Sequence, residues 1–329
     1  MTMQTTPTTV SIIIPAYNPG RYIDCALESV RAQSVRPLEL VIIDDGSRPP
    51  VSADAFGDLP IRLLRQENAG QAAARNRGIR EARGTWLAFL DADDVWHPRK
   101  LERQLRAAET HPEAAIIGCR AVLIDAGGSA IGAGPGGVSG EITRLDRRQF
   151  QLGAARAVLV PSMALVKRET ALAADGFDTR YQPIEDLAYF DRLFDAGARA
   201  VVVEEYLLQR RLHGASLTLR YRQMLNSYRR WISEIVAPNA DPAHVAAVMG
   251  QACLVTGLSA LACRERGDAR ALLRRARQSG TPLSQLVFPF IFTLLPGALT
   301  DLARSVKQRL AGRTPARLWS GEATNPVRA

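Results

Sequence analysis

Leu87-Ala88-Phe89-Leu90-Asp91-Ala92-Asp93-Asp94 decides how this 329-residue chain is read. Four apolar residues make a short buried-strand signal, and three carboxylates follow at once. Asp91 and Asp93 stand two apart, so in an extended segment both side chains point to one face. Two hard oxygen ligands at the carboxyl end of a strand, with room left for phosphate oxygens, suit Mg²⁺ or Mn²⁺. A divalent ion held there neutralises a diphosphate as it leaves, which points to chemistry on a nucleotide-linked substrate. Asp94 is expected to cap the segment at Trp96-His97-Pro98. Trp96, beside the acids, is a candidate for stacking on an acceptor.

Working outward, strand and helix signals alternate. Val10 to Pro15 reads as a buried strand ended by proline, and Leu38 to Ile43 and Ile61 to Leu64 as two more. Helical spacing runs from Arg21 to Gln33, Gln71 to Arg83 and Pro98 to Glu109. Further strands are expected at Trp86 to Leu90, Ala115 to Ile124, Ala157 to Val166 and Ala200 to Val203. Helices are expected at Lys167 to Ala174 and Glu185 to Asp195. Residues Asp125 to Gly140 hold seven glycines and read as a loop, an edge hairpin turn or a lid. Alternation of this kind predicts an α/β fold with a doubly wound, mostly parallel sheet, whose ligands sit at the carboxyl ends of the strands. The loops Ala16-Tyr17-Asn18-Pro19-Gly20, Asp44-Asp45-Gly46-Ser47 and Asp91-Ala92-Asp93-Asp94 all lie at such ends.

Bulk composition narrows the class. Hydrophobic residues make up 47% and charged residues 23%, an ordinary globular balance. Cys25, Cys119, Cys253 and Cys263 have no CxxC spacing, which argues against a zinc or redox motif and for free thiols. The polar N-terminal ten residues carry no signal-peptide pattern. A cytoplasmic protein is expected, peripheral at the inner face of the cytoplasmic membrane.

The net charge is +9, and arginine clusters in the C-terminal third at Arg210-Arg211, Arg229-Arg230 and Arg274-Arg275-Arg277. That excess favours an anionic membrane surface over nucleic acid, because no zinc-finger, helix-turn-helix or aromatic RNA motif accompanies it. From Leu219 the pattern is helical, with a hairpin of Ala243 to Arg266 and Ala269 to Gln278 turning at Gly267-Asp268. Leu286 to Leu295 is strongly apolar, too short for an ordinary transmembrane helix, and fits either a buried helix or an interfacial one.

Six motifs in order carry a resemblance: Ser11-Ile12-Ile13-Ile14-Pro15-Ala16-Tyr17-Asn18, Asp44-Asp45-Gly46-Ser47, Asn68-Ala69-Gly70, Ala74-Arg75-Asn76, Leu90-Asp91-Ala92-Asp93-Asp94 and Glu185-Asp186. Together they resemble glycosyltransferase family 2, the inverting, nucleotide-sugar-dependent enzymes with the GT-A fold, over about residues 8 to 215. The resemblance implies that Pro15, Ala16 and Tyr17 line the nucleotide pocket. It implies that one of Asp44 and Asp45 meets the base, with Asp45 preferred. Asn68, Gly70 and Arg75 then sit at a helix start that favours anions, with Arg75 reaching diphosphate or base. Asp93 holds the Mn²⁺ or Mg²⁺ ion, Asp91 contacts ribose or sugar and shares the ion, and His213 completes the metal site. Arg210 or Arg211 neutralises the diphosphate. Asp186 is the general base and Glu185 orients it or the acceptor, although a capping pair before the helix fits the same residues.

The expected function is transfer of one sugar from a nucleotide-diphosphate sugar, UDP-linked by default, to a hydroxyl on a glycan or lipid-linked acceptor. Cell-surface polysaccharide or glycolipid synthesis is the expected setting, with no nucleic acid partner. The alternative is a non-catalytic nucleotide-sugar-binding module. No Gln-x-x-Arg-Trp motif marks a processive synthase. No Gly-rich phosphate loop or G-x-G-x-x-G follows the first strand to favour a nucleotidyltransferase or a dehydrogenase. The organisation expected is a GT-A domain over residues 1–218, a helical region over 219–311 and a loose tail over 312–329.

Overall fold

The computed structural model describes residues 8–133, 139–153, 159–212 and 220–287. Apolar runs without polar alternation become strands buried on both faces. These are β1 (Val10–Ala16), β2 (Glu39–Asp44) and β4 (Trp86–Phe89), with the half-exposed β3 (Ile61–Arg65) at the edge. They pair in parallel in the order β3-β2-β1-β4. The helices α1 (Tyr22–Arg31) and α2 (Gln71–Glu81) make the crossovers, as right-handed βαβ packing requires.

Past β4 the sheet becomes mixed. The remaining strands are β5 (Val95–Trp96), β6 (Ala114–Ile124), β7 (Ala130–Ala133), β8 (Ile142–Leu145), β9 (Leu165–Lys167) and β10 (Arg199–Arg211). The order continues β4-β9-β6-β10-β5, with β7 on β6 and β8 on β10. β10 runs parallel to β6, while β9 is antiparallel to both β4 and β6. The helices α3 (Lys100–Thr110), α4 (Arg147–Gln151), α5 (Arg168–Ala173) and α6 (Glu185–Asp195) cover the faces. Two apolar clusters fill the two sides of the sheet, one around Ile12, Leu27 and Leu165, the other around Ile13, Phe89 and Phe190.

Two expectations are corrected. The strand expected over Ala157 to Val166 shrinks to β9. Pro161–Met163 is instead a tight turn, because proline cannot donate to a ladder; residues 157 and 158 lie outside the described residues. β10 is far longer than Ala200 to Val203. It absorbs two glutamates, and the buried one, Glu204, is held by Arg120 at 2.6 and 2.8 Å and by the Thr143 hydroxyl at 2.8 Å. Gln209-Arg210-Arg211 is therefore strand. Within the glycine-rich stretch, β7 folds back on β6 as a hairpin, with the Asp125 carboxylate accepting the Gly127 and Ser129 N–H groups.

The C-terminal helices are α7 (Tyr221–Trp231), α8 (Pro242–Ala262) and α9 (Arg266–Gln278). The turn between α8 and α9 lies at residues 263–265, where Arg264 has φ +65°, and Gly267 and Asp268 fall inside α9. The three helices share one apolar cluster with α6 through Trp231, Val248, Leu273, Phe190 and Leu193. The Trp231 indole donates to Asp191 at 3.0 Å. The helical region thus packs on the sheet domain. Leu286 is buried and Val287 exposed, and the rest of the apolar run to Leu295 lies outside the described residues.

Candidate active site

A cleft of about 710 Å³ opens at the carboxyl ends of β1, β2 and β4. Pro15, Ala16 and Tyr17 line it, with Asp45, Asn68, Gly70, Asp91 and Asp93. Loop stitching sets the walls. The Asn18 N–H donates to the Ser47 hydroxyl at 3.0 Å, and the Arg48 N–H returns to the Asn18 side chain at 2.8 Å. Tyr17 is left 57% exposed over the opening.

Adjacent acids at the end of β2 diverge. Asp44 points inward: its carboxylate accepts the Ser47 N–H at 2.8 Å, the Val51 N–H at 3.3 Å and an Arg65 guanidinium N–H at 2.7 Å. Burial pushes this carboxyl up, but the Ser47 and Val51 hydrogen bonds and Arg65 outweigh it and hold it below the usual range. Asp44 has no place at the base and is a loop anchor. Asp45 lines the cleft, taking Gln66 Nε2 at 2.7 Å, the Ala69 N–H at 2.9 Å and the Gly70 N–H at 2.8 Å. A carboxylate offers about four acceptor sites, so one remains for a ligand N–H or hydroxyl.

Gly70 precedes α2 at φ +89°, and a Cβ there would stand 3.0 Å from Gln182 Nε2. Only glycine fits both the left-handed backbone and that approach. The open N–H groups of α2 then face the cleft, with the dipole of an 11-residue helix behind them.

Asp91 and Asp93 both line the cleft, in a turn rather than an extended strand: the Asp94 N–H closes on the Asp91 carbonyl at 3.0 Å. The same turn sends Asp94 inward, where its carboxylate accepts the Arg211 N–H at 2.9 Å. Burial, then Asp93 and Asp91, push Asp94 up to about 8. Asp94 therefore ties the loop to β10 instead of capping the next segment; Arg99 occupies that cap. Trp96 is 1% exposed, donates to the Ser162 carbonyl at 3.0 Å and carries the Lys100 ammonium 4.0 Å from its ring centroid. It is a core residue, not a stacking platform.

Arg75 is buried between the acid loop and α6. Its Nη2 donates to Asp91 at 2.7 Å, its Nη1 lies 3.6 Å from Glu185, and its guanidinium sits 5.2 Å from the Phe177 ring centroid. Asn76 supports this from below by clamping both the N–H and the carbonyl of Phe177. Burial opposes the Arg75 charge, but Asp91 and Glu185 more than offset it. Glu185 is buried, one of its carboxylate oxygens has no hydrogen-bond partner, and its carboxyl is pushed up to about 6 by burial, against the pull of Arg75. Asp186, the next residue, is half-buried in the first turn of α6 and accepts the Leu187 N–H at 2.8 Å. Gln182 and Pro183, just before it, line the cleft. Neither acid is the cap residue of α6, which is Ile184.

Arg210 does not line the cleft; its charge lies near Asp94. Arg211 is spent on backbone, donating to the carbonyls of Asp93, Asp125 and Ala126 at 2.9–3.3 Å with its guanidinium 4.7 Å from the Tyr22 ring centroid. The cations on the cleft wall are Arg21 and Arg220. Arg220 follows a stretch whose pattern carried no signal, and only the approach of α7 brings it here. His213 lies outside the described residues. Among the described residues no three His, Cys, Asp or Glu side chains gather as a metal site. Two cleft-facing carboxylates still fit Mg²⁺ or Mn²⁺, which take one or two carboxylates and complete their shell with water and substrate phosphate.

The pattern of Glycosyl transferase family 2 matches residues 11–171. That region belongs to glycosyltransferase family 2. An uncharacterised glycosyltransferase of Haemophilus influenzae is 38% identical over 109 residues, covering 33% of this chain and 37% of the relative. The putative glycosyltransferase EpsH of Bacillus subtilis is 37% identical over 122 residues, covering 36% of each. The matched stretches thus span little more than a third of these relatives.

Among solved structures, S. aureus TarS 1-349 in complex with UDP-GlcNAc superposes with a TM-score of 0.61 at 14% identity, covering 94% of this chain and 92% of that one. The mannosyltransferase PcManGT of Pyrobaculum calidifontis, in complex with GDP-Man and Mn²⁺, reaches 0.57 at 18% identity, covering 97% and 89%. The fold is the GT-A fold of these proteins, extended by C-terminal helices.

Proposed function

We propose that this family 2 protein is an inverting glycosyltransferase that moves one sugar from a nucleotide-diphosphate sugar to a hydroxyl acceptor. One observation carries the reading: a single cleft gathers Asp45, Asp91, Asp93 and the N-terminus of α2, and Arg75 links it to Glu185 beside Asp186. The base of the nucleotide lies between Tyr17 and Asp45, whose open acceptor site takes a ring N–H. The α2 N–H groups, Arg21 and Arg220 receive the diphosphate. Asp93 and Asp91 would hold a divalent cation, which supplies neutralisation of the leaving diphosphate's charge. TarS and PcManGT, named with UDP-GlcNAc and with GDP-Man and Mn²⁺, support this choice of ligands.

Asp186 takes the proton from the acceptor hydroxyl as that oxygen attacks the anomeric carbon opposite the departing diphosphate. One carboxylate suffices, because inversion needs no covalent intermediate. Glu185, pinned against Arg75, fixes the first turn of α6 and so the place of Asp186. UDP-sugars are the default donors, and a glycan or lipid-linked acceptor of cell-surface polysaccharide or glycolipid synthesis is the proposed recipient. Incubation with a panel of UDP- and GDP-sugars and glycan acceptors should give a product of inverted anomeric configuration by NMR. Asp186→Asn should lower turnover at least 100-fold while leaving nucleotide affinity in place. Equal turnover by Asp186→Asn would remove Asp186 from the mechanism.

A further inference from the structure

We propose that the α8–α9 hairpin is a docking surface for an anionic lipid bilayer, a reading that stands apart from the chemistry of the cleft. α8 is 21 residues long and carries no Asp, Glu, Lys or Arg. Among the described residues it is the one helix long and apolar enough to cross a membrane. Much of it is instead used for packing on α7 and α9, where Val248, Ala252 and Cys253 are buried. What packing leaves is a strip along one flank. Leu258 is 44% exposed, Ala262 one turn further is exposed, and Val255 is half-buried.

The same flank of α9 is basic. Arg266, Arg270, Arg274 and Arg277 recur at intervals of four, four and three, which lines them along one side of the helix. Among the described residues none of these four makes an ion pair. The acid of α9, Asp268, is engaged by Tyr221 at 2.6 Å and Arg222 at 3.2 Å. Arg275 of α9 and Arg229 of α7 both lie near Cys253, which marks the opposite flank as the one where α7 packs. In an antiparallel helix pair, the arginine line and the Leu258 strip therefore share one side. Gln285 bonds Gln251 of α8 at 3.2 Å, two turns before Leu258, and the same short segment leaves Leu283 (56%) and Val287 (51%) exposed.

A row of unpaired arginines beside exposed aliphatic side chains matches a bilayer interface, where charge meets anionic headgroups and the apolar strip enters the acyl boundary. Among the described residues the flank offers no aromatic ring for stacking bases, as single-stranded nucleic acid binding uses.

The test is co-sedimentation of the full chain with equimolar phosphatidylglycerol–phosphatidylcholine vesicles against phosphatidylcholine alone. Arg270→Glu, Arg274→Glu and Arg277→Glu combined should weaken binding to the anionic vesicles by more than about 100-fold. The same three changed to Gln should weaken it less, and Leu258→Gln by about 3-fold or more. All these side chains are exposed or half-exposed, so melting temperature and UDP binding should stay unchanged. That separates this surface from the cleft. Wild-type retention of the triple Glu variant on vesicles would overturn the proposal. So would an RNA oligonucleotide that outcompetes vesicles and ignores Leu258→Gln, which would assign the flank to nucleic acid.

Discussion

Arg75→Met probes the link between the acid loop of Asp91 to Asp94 and the proposed base. Glu185, 3.6 Å from Arg75, ionises at about 6 instead of its ordinary 4.5. At about 1.36 kcal/mol per unit, that is about 2 kcal/mol of native stability lost as pH rises from below 4.5 through 6. Removing the guanidinium raises the folded-state value further, so the variant goes on losing stability above pH 6 where the wild type has levelled off. Protonation limits the loss. At about pH 8 a fully neutral Glu185 costs about 5 kcal/mol relative to the unfolded chain, so the variant's added cost is at most about 3 kcal/mol. Below about pH 5 the carboxyl is protonated in both proteins and this contribution vanishes.

What remains across this whole range is the lost hydrogen bond to Asp91, about 2 kcal/mol, and the lost interaction with Phe177, about 1 kcal/mol. Thermal unfolding of both proteins across this range should show the gap in melting temperature widening by about 4–8 °C on going from pH 5 to pH 8. A gap that does not depend on pH would mean that Arg75 does not hold the Glu185 charge, and the coupling of the acid loop to α6 would fall with it.

Asp45→Asn loses charge-assisted bonds from the loop before α2 and should weaken UDP or GDP binding at least 10-fold by calorimetry. Unchanged affinity would remove Asp45 from the base site. Lys100 is buried with one hydrogen bond, to Gln104 at 2.7 Å, and burial lowers its ammonium to about 8 from 10.5. Its charge is thus disfavoured in the fold, by about 3 kcal/mol at neutral pH, and the Lys100 contribution to wild-type stability should rise as pH climbs from about 8 to about 10.5. Lys100→Met should lack that rise relative to the wild type in paired denaturant titrations. Parallel curves for the two proteins would contradict it.

The parallel half of the sheet was legible because β1, β2 and β4 are unbroken apolar runs ended by polar loops, and α6 was legible to the residue because its amphipathic spacing begins at Glu185. Six cleft-lining residues read from the loops, Pro15, Ala16, Tyr17, Asp45, Asp91 and Asp93, lie where strand ends place them, and Asn68 and Gly70 join them ahead of α2. Adjacent carboxylates were not separable in sequence. Asp44 and Asp45, like Asp93 and Asp94, differ only in which way a turn sends them, and that depends on partners such as Arg65 and the Arg211 N–H far along the chain.

Trp96 was misread for the same reason: its neighbour Lys100 is one helical turn onward, but the space that buries both is made by β6 and the Ser162 turn. The antiparallel β9 was hidden by Pro161, and the length of β10 by a glutamate whose charge is met only in the fold. Arg220 and Gln223 enter the cleft from α7, a tertiary approach without a local signal.

The central claim is that Asp93 joins a divalent cation and a nucleoside diphosphate in one cleft. Calorimetric titration of UDP and GDP, with and without Mn²⁺, into wild type and Asp93→Ala tests it most directly. The account predicts that Mn²⁺ tightens binding of one nucleotide at least 10-fold in the wild type and has no such effect in Asp93→Ala. Equal Mn²⁺ enhancement in both proteins, or none in either, would contradict it.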